Sequence, residues 1–138
     1  MKTDTWKGRD WIAETDYTRE EIETLLDVAA ELKRAFVLGK PHDLLHRKTL
    51  FMVFYNASLR TRNSFEAGMT QLGGHAHFLD VAKIYAPAFA NQLKASHSED
   101  IADSARTLSR MGNGIAIRCF GDAVGWQWGM GNAVVREF

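Results

Sequence analysis

Two basic and two hydroxyl side chains lie close together in one short stretch of the sequence, at Ser58, Arg60, Thr61 and Arg62. Guanidiniums and hydroxyls bind anions, and the planar fork of an arginine matches a phosphate group in particular. An isolated Arg-x-Arg sequence is more often exposed to water. These residues alone therefore leave two interpretations open, a phosphate site and a capped helix with two solvated arginines.

The surrounding sequence predicts a strand before this stretch and a helix after it. Residues 49–55 form an apolar, aromatic-rich run of strand length, and Phe65, Met69 and Leu72 recur at helical spacing. Ser58 is placed at the helix start, where free backbone N–H groups and the positive end of the helix dipole favour an anion. A strand-turn-helix context of this kind supports the phosphate interpretation.

A second candidate, Arg118, is predicted at the end of another strand. Residues 114–118 form a short apolar run that ends in this charge, and we expect a buried strand. The carboxyl ends of parallel strands form the edge where open α/β sheets hold their ligands, so Arg118 is expected near the Ser58 turn. The alternative for Arg118 is an ion pair with a nearby carboxylate.

The remaining pattern alternates helices with strands. Thr18 and Glu21 form a capping-box pattern before an amphipathic helix that ends near Gly39, and a short strand is expected at residues 75–80. Ser98 is expected to cap a helix that extends to Met111, and a glycine-rich loop and a last helix follow. With right-handed crossovers, this order predicts an α/β fold with a parallel sheet and helices on both faces.

Composition excludes several classes of function. The chain has 17 Lys and Arg against 17 Asp and Glu, so no overall basic field attracts nucleic acid or an anionic membrane. Cys119 is the single cysteine, which suits a reducing compartment, and no apolar run approaches the roughly 20 residues of a membrane span. We expect a cytoplasmic protein.

No cofactor or metal is expected. Gly129-Met130-Gly131 lacks the third glycine and the strand register of a dinucleotide-binding turn. His75 and His77 alternate onto one face of a strand, but no acidic or cysteine partner stands at ligand spacing.

Residues 56–66 and 71–76 resemble the carbamoyl phosphate signature of the aspartate and ornithine carbamoyltransferases, whose core pattern is Ser-x-Arg-Thr-Arg. The resemblance runs from about the first helix to the end of the chain and includes Arg118. Residues 57–60 are most similar to the N-acylornithine branch, because Leu59 stands where aspartate and ornithine enzymes have threonine. Leu59 then offers only its N–H.

The resemblance implies a carbamoyltransferase that transfers the carbamoyl group from carbamoyl phosphate to a small amine or amino acid. It implies a catalytic set consisting of Arg60, Thr61 and Arg118. It implies a carbamoyl phosphate-binding set consisting of Ser58, Leu59, Arg60, Thr61, Arg62 and Arg118. In the family, the arginine matching Arg118 contacts both the phosphate and the carbamoyl oxygen, and the arginine matching Arg62 partly braces the loop, for which Glu66 is a candidate partner.

The resemblance also implies a homotrimer or a multiple of it, in which a loop of the neighbouring subunit contributes a serine and a lysine. The corresponding region here offers Lys94, Ser96 and His97, because the lysine expected beside Glu99 is absent from its usual register. Before this region, residues 81–94 form a long connection, for which a functional loop and a disordered excursion are both open. These departures argue against aspartate as acceptor and favour an ornithine-like or N-acylated amine.

The family's His-Pro-x-Gln segment and its amino-acid-binding domain do not occur in these 138 residues. We therefore expect residues 1–138 to be a C-terminally truncated carbamoyl phosphate-binding domain that is inactive alone. Two alternatives of the same fold remain, a non-catalytic phosphate-binding module and a purely structural trimerising module.

Overall fold

The structure is a computed structural model that describes residues 6–94 and 97–138. The chain divides into two units, residues 1–39 and residues 40–138. Each unit has its own helices, and the second carries the sheet and every candidate anion-binding residue.

The first unit is built on helix α1 (Arg19–Val37). The predicted capping box is confirmed, because the Thr18 side chain accepts from the Glu21 N–H and the Glu21 carboxylate accepts from the Thr18 N–H. Glu21 also pairs with the Arg9 guanidinium, which ties the preceding segment to the helix. The chain leaves the helix through Gly39, whose φ of 62° is in the left-handed region that glycine adopts readily.

Among its described residues, the second unit contains five strands and three α-helices. In chain order they are β1 (Thr49–Phe54), α2 (Arg60–Gln71), β2 (His75–Asp80), β3 (Ala86–Ala88), β4 (Ser98–Asp100), α3 (Ile101–Met111), β5 (Gly114–Arg118) and α4 (Met130–Glu137). Strands β2, β1 and β5 form a parallel sheet in that order, and β3 pairs in parallel with β4. The α/β class with a parallel sheet is thus confirmed.

The central strand β1 packs on both sides, which explains its continuous apolar sequence. Phe51 lies against Gly112 at the end of α3, and Val53 shares a small cavity with Leu108 of that helix. On the other face Phe54 meets the edge of the Phe78 ring at 5.5 Å, near α2. The crossover from β1 to β2 and the crossover from β2 to β5 run in opposite directions across the sheet. Because such crossovers are right-handed, α2 and α3 lie on opposite faces.

Two predictions about these elements are wrong. Ser98 does not cap α3, because residues 98–100 are extended and pair with β3; the Asp100 carboxylate is the cap and accepts from the Ala102 and Asp103 N–H groups at 2.9 and 3.2 Å. Strand β5 is half-buried instead of buried, since it lies at the edge of the three-stranded sheet. The connection over residues 81–94 is ordered by β3 and two short 3-10 turns.

Candidate anion site at the carboxyl edge of the sheet

The turn between β1 and α2 presents the start of a helix, as the sequence predicts. The Ser58 Oγ accepts a hydrogen bond from the Thr61 N–H at 3.2 Å, which makes Ser58 the effective cap. Leu59 already has helical dihedral angles, with φ −80° and ψ −56°. A hydroxyl can accept one bond and donate another, so this cap leaves the Ser58 O–H available to an anion.

Strand pairing brings Arg118 to this turn. Arg118 is opposite Phe54 in the parallel register of β1 and β5, and the Tyr55 N–H donates to the Arg118 carbonyl at 2.9 Å. The Arg118 Nη1 lies 3.4 Å from the Thr61 Oγ1. The expected proximity of Arg118 to the Ser58 turn is therefore confirmed.

No carboxylate lies within ion-pair distance of Arg118 or Arg60 in the part of the chain that the structure describes. The alternative of an ion-paired Arg118 therefore finds no partner among residues 6–94 and 97–138. Arg60 is exposed at the first position of α2, on the helix end whose dipole is positive. Two guanidiniums without carboxylate partners near one helix start form a local positive field in a chain of zero net charge.

Arg62 has a different environment from Arg60. Its Nε donates to the Glu66 Oε1 at 3.0 Å, and its guanidinium lies 3.9 Å from the centre of the Phe78 ring. The pairing of Arg62 with Glu66 is thus confirmed, and both residues lie within α2. A direct contact of Arg62 with phosphate stays a prediction.

Asn56 is a residue to which the sequence analysis assigned no function. Its Nδ2 donates to the Phe120 carbonyl at 3.0 Å, and its Oδ1 accepts from the Phe120 N–H at 3.0 Å. The Phe120 ring in turn lies 4.6 Å from the Arg118 guanidinium carbon. One hint was present in the sequence, because an asparagine directly after a strand commonly bonds to backbone groups, but its partner is 64 residues away.

Of the residues expected to serve a neighbouring subunit, Ser96 lies outside the described residues. Lys94 and His97 line a cavity of about 620 Å³ together with Tyr55 and Cys119. The structure does not bring them to Ser58 or Thr61. A contribution to another subunit's site stays a prediction.

Burial suppresses the acid–base chemistry of Tyr55 and Cys119, two of the titratable groups that line this cavity. It raises the pKa of the Cys119 thiol to about 11, and it raises the pKa of the Tyr55 hydroxyl as well. The Tyr55 hydroxyl donates to the Pro87 carbonyl at 2.6 Å. Both groups are therefore neutral at physiological pH and suited to packing.

The predicted histidine pair is present on β2, with the His75 and His77 rings 6.2 Å apart. Among residues 6–94 and 97–138, no three His, Cys, Asp or Glu side chains converge as a metal site would require. No described helix combines the length and apolar character needed to cross a bilayer.

Comparison with known proteins gives one consistent result. Residues 9–130 match the family profile described as aspartate/ornithine carbamoyltransferase, carbamoyl-P binding domain. The ornithine carbamoyltransferase of Pyrococcus abyssi is 46% identical over 114 residues, which cover 83% of this chain and 33% of that protein. The chain thus spans about a third of the length of the curated relatives it matches.

Solved structures show the same likeness. The ornithine carbamoyltransferase of Pyrococcus furiosus superposes with a TM-score of 0.73 at 40% identity, covering 94% of this chain and 36% of that one. An acetylornithine transcarbamylase complexed with acetylcitrulline superposes with a TM-score of 0.74 at 36% identity, covering 88% of this chain and 36% of that one.

Proposed function

Because the chain belongs to the aspartate/ornithine carbamoyltransferase family and matches its carbamoyl phosphate-binding domain, we propose that it binds carbamoyl phosphate as the donor half of a carbamoyltransferase. The acceptor in the proposed reaction is ornithine or an N-acylornithine. The observation that carries the proposal is the 3.4 Å approach of the Arg118 Nη1 to the Thr61 Oγ1 at the start of α2.

In the proposed site, different residues bind the phosphate group and the carbamoyl group of the ligand. The Ser58 hydroxyl, the Leu59 N–H and the Arg60 guanidinium bind the phosphate, where the helix dipole also favours negative charge. The Thr61 N–H already donates to Ser58, so it supports the turn in this state. The Thr61 hydroxyl and Arg118 face the carbamoyl oxygen.

The proposed chemistry follows from where charge develops. An uncharged amine attacks the carbamoyl carbon, a carbon–nitrogen bond forms, and the bond from carbon to the phosphate oxygen breaks. The attacking nitrogen loses one proton, which the leaving phosphate takes up. Negative charge grows first on the carbonyl oxygen and then on the leaving phosphate. Donors fixed at both positions stabilise the transition state without reorganising, and the loss of one such donor typically lowers the rate by about a hundredfold.

The acceptor specificity is supported by likeness alone. Leu59, the third residue of the segment 57–60, matches the pattern of the N-acylornithine branch. The Pyrococcus abyssi protein that is 46% identical to this chain is an ornithine carbamoyltransferase. The family's amino-acid-binding domain would select between these amines. We therefore propose that this chain binds the donor and is inactive without that domain.

Isothermal titration calorimetry with carbamoyl phosphate tests the donor site. We expect Arg118→Ala to weaken binding about ten- to a hundredfold, as loss of a hydrogen bond to a charged group does. Arg106→Ala is the matched control, since it removes the same charge from a side chain that pairs with Asp103 on the exposed face of α3. Absence of binding by the unmodified chain, or equal binding by both variants, would contradict the proposal.

A further inference from the structure

Asn56 joins the two segments that carry the proposed site. The strand ladder between β1 and β5 ends at the Phe54–Arg118 pair. Beyond it, the Asn56 side chain makes two hydrogen bonds to the backbone of Phe120, one as donor and one as acceptor, each of 3.0 Å. One side-chain amide therefore continues the connection between the strands where backbone pairing has stopped.

Phe120, whose backbone is bonded to Asn56, contacts Arg118 through its ring. The Arg118 guanidinium carbon lies 4.6 Å from the centre of the Phe120 ring, within the range of a cation–π contact. The same guanidinium reaches Thr61 through its Nη1. Its orientation thus depends on a ring whose backbone is held by Asn56.

We infer that Asn56 is a positioning residue, which acts through Phe120 to hold the Arg118 guanidinium over the turn formed by residues 58–61. This inference rests on the proposed function, because it requires Arg118 to contact carbamoyl phosphate. The residue type fits the geometry. An amide carries a donor and an acceptor on one planar group, whereas an ionised carboxylate has no donor and a hydroxyl has a single polar atom.

A double-mutant cycle on the 138-residue chain tests the inference. Carbamoyl phosphate is titrated into the unmodified chain, Asn56→Ala, Arg118→Ala and the double variant, and thermal unfolding shows that each is folded. We expect Asn56→Ala to weaken binding about tenfold, which corresponds to about 1.4 kcal/mol. The double variant should bind no more weakly than Arg118→Ala, because the effect of Asn56 passes through Arg118.

Tyr55→Phe is the matched control for general loosening of the strand end. Tyr55 precedes Asn56, and its hydroxyl donates to the Pro87 carbonyl at 2.6 Å. Tyr55→Phe keeps the bond from the Tyr55 N–H to the Arg118 carbonyl. Removing that hydroxyl should lower the midpoint of thermal unfolding but leave the affinity for carbamoyl phosphate unchanged. A purely structural effect would reduce affinity in both variants in proportion to their stability.

Two results would overturn the positioning of Arg118 by Asn56 while leaving the proposed function intact. One is full affinity in folded Asn56→Ala, and the other is an equal loss with and without Arg118. If Asn56→Ala does not fold, Phe120→Leu replaces it, since it keeps both backbone bonds and removes only the ring; full affinity in that variant would also overturn the inference. Failure of the unmodified chain to bind would instead overturn the proposed function itself.

Discussion

The Arg62 guanidinium lies 3.9 Å from the centre of the Phe78 ring, so a charge on α2 rests on an aromatic face of β2. Arg62→Lys keeps the charge but loses the planar group that stacks on the ring and pairs with Glu66. We expect the free energy of unfolding to fall by up to about 1 kcal/mol. Affinity for carbamoyl phosphate should change little if Arg62 only pairs with Glu66 and Phe78, and should fall if Arg62 contacts the phosphate. Urea unfolding and calorimetry measure the two effects.

Arg19→Lys provides the control for this substitution. Arg19 also pairs with a glutamate four residues later, at 2.7 Å, but its side chain is 85% exposed, so the exchange should have almost no effect on stability. A large loss of affinity in Arg62→Lys at unchanged stability would mean that Arg62 contacts the phosphate itself.

The Ser58 hydroxyl is expected to serve both the helix and the ligand. Ser58→Ala removes the acceptor for the Thr61 N–H and should lower the free energy of unfolding by about 1 kcal/mol. It should also weaken carbamoyl phosphate binding, because the O–H that remains available to the ligand is lost. Chemical unfolding and calorimetry on the same sample separate the two losses.

Ser64→Ala tests whether any hydroxyl on α2 would give the same result. The Ser64 hydroxyl donates to the Thr61 carbonyl at 2.9 Å inside the helix, where such bonds compete with helical geometry. We expect neutral or slightly higher stability and unchanged affinity. If Ser58→Ala binds as tightly as Ser64→Ala, Ser58 is a helix cap only.

Local sequence patterns were sufficient to predict the strands that position the site. The apolar run of β1 agrees with the structure because the strand is largely buried. The bounds of β2 agree because exposed histidines alternate there with half-buried apolar residues. The proximity of Arg118 to Thr61 followed from a general property of parallel sheets, whose carboxyl ends share one edge.

What the sequence could not predict depends on contacts between distant segments. Ser98 and Asp100 are both good caps, and only the pairing of residues 98–100 with β3 makes Asp100 the one that is used. Phe65 matches the apolar face of α2 by spacing, yet it is 41% exposed. The partner of Asn56 becomes apparent only when the ends of β1 and β5 are brought together.

Acid is expected to destabilise the first unit through Glu21. The Arg9 side chain and then the Thr18 N–H donate to its carboxylate and lower its pKa from 4.5 to about 2. A group whose pKa is lowered by folding stabilises the folded state above its unfolded pKa, and this stabilisation is lost as the pH falls from 4.5 to about 2. Circular dichroism of the wild type and Glu21→Gln should therefore show a difference in helix stability at neutral pH that disappears near pH 2.

Glu23→Gln is the control for the acid experiment, because Glu23 lies on the same helix and pairs with a largely exposed arginine. Its pH profile should follow that of the wild type, since exposed pairs contribute little. A constant difference between wild type and Glu21→Gln down to pH 2 would show that the effect of Glu21 is not electrostatic.

The Cys119 thiol is expected to react slowly with alkylating agents, because it is buried. Burial raises its pKa from 9.0 to about 11, and only the thiolate attacks an alkylating agent. Near pH 8 the folded chain should therefore react with iodoacetamide on the order of a hundredfold more slowly than the urea-unfolded chain.

The same rise in the pKa of Cys119 predicts that the stability of the fold falls as the pH rises from 9.0 to about 11, because the unfolded thiol loses its proton first. Cys119→Ala should remove both the labelling and this alkaline dependence, and equal labelling rates in the folded and unfolded chains would contradict the burial of the thiol.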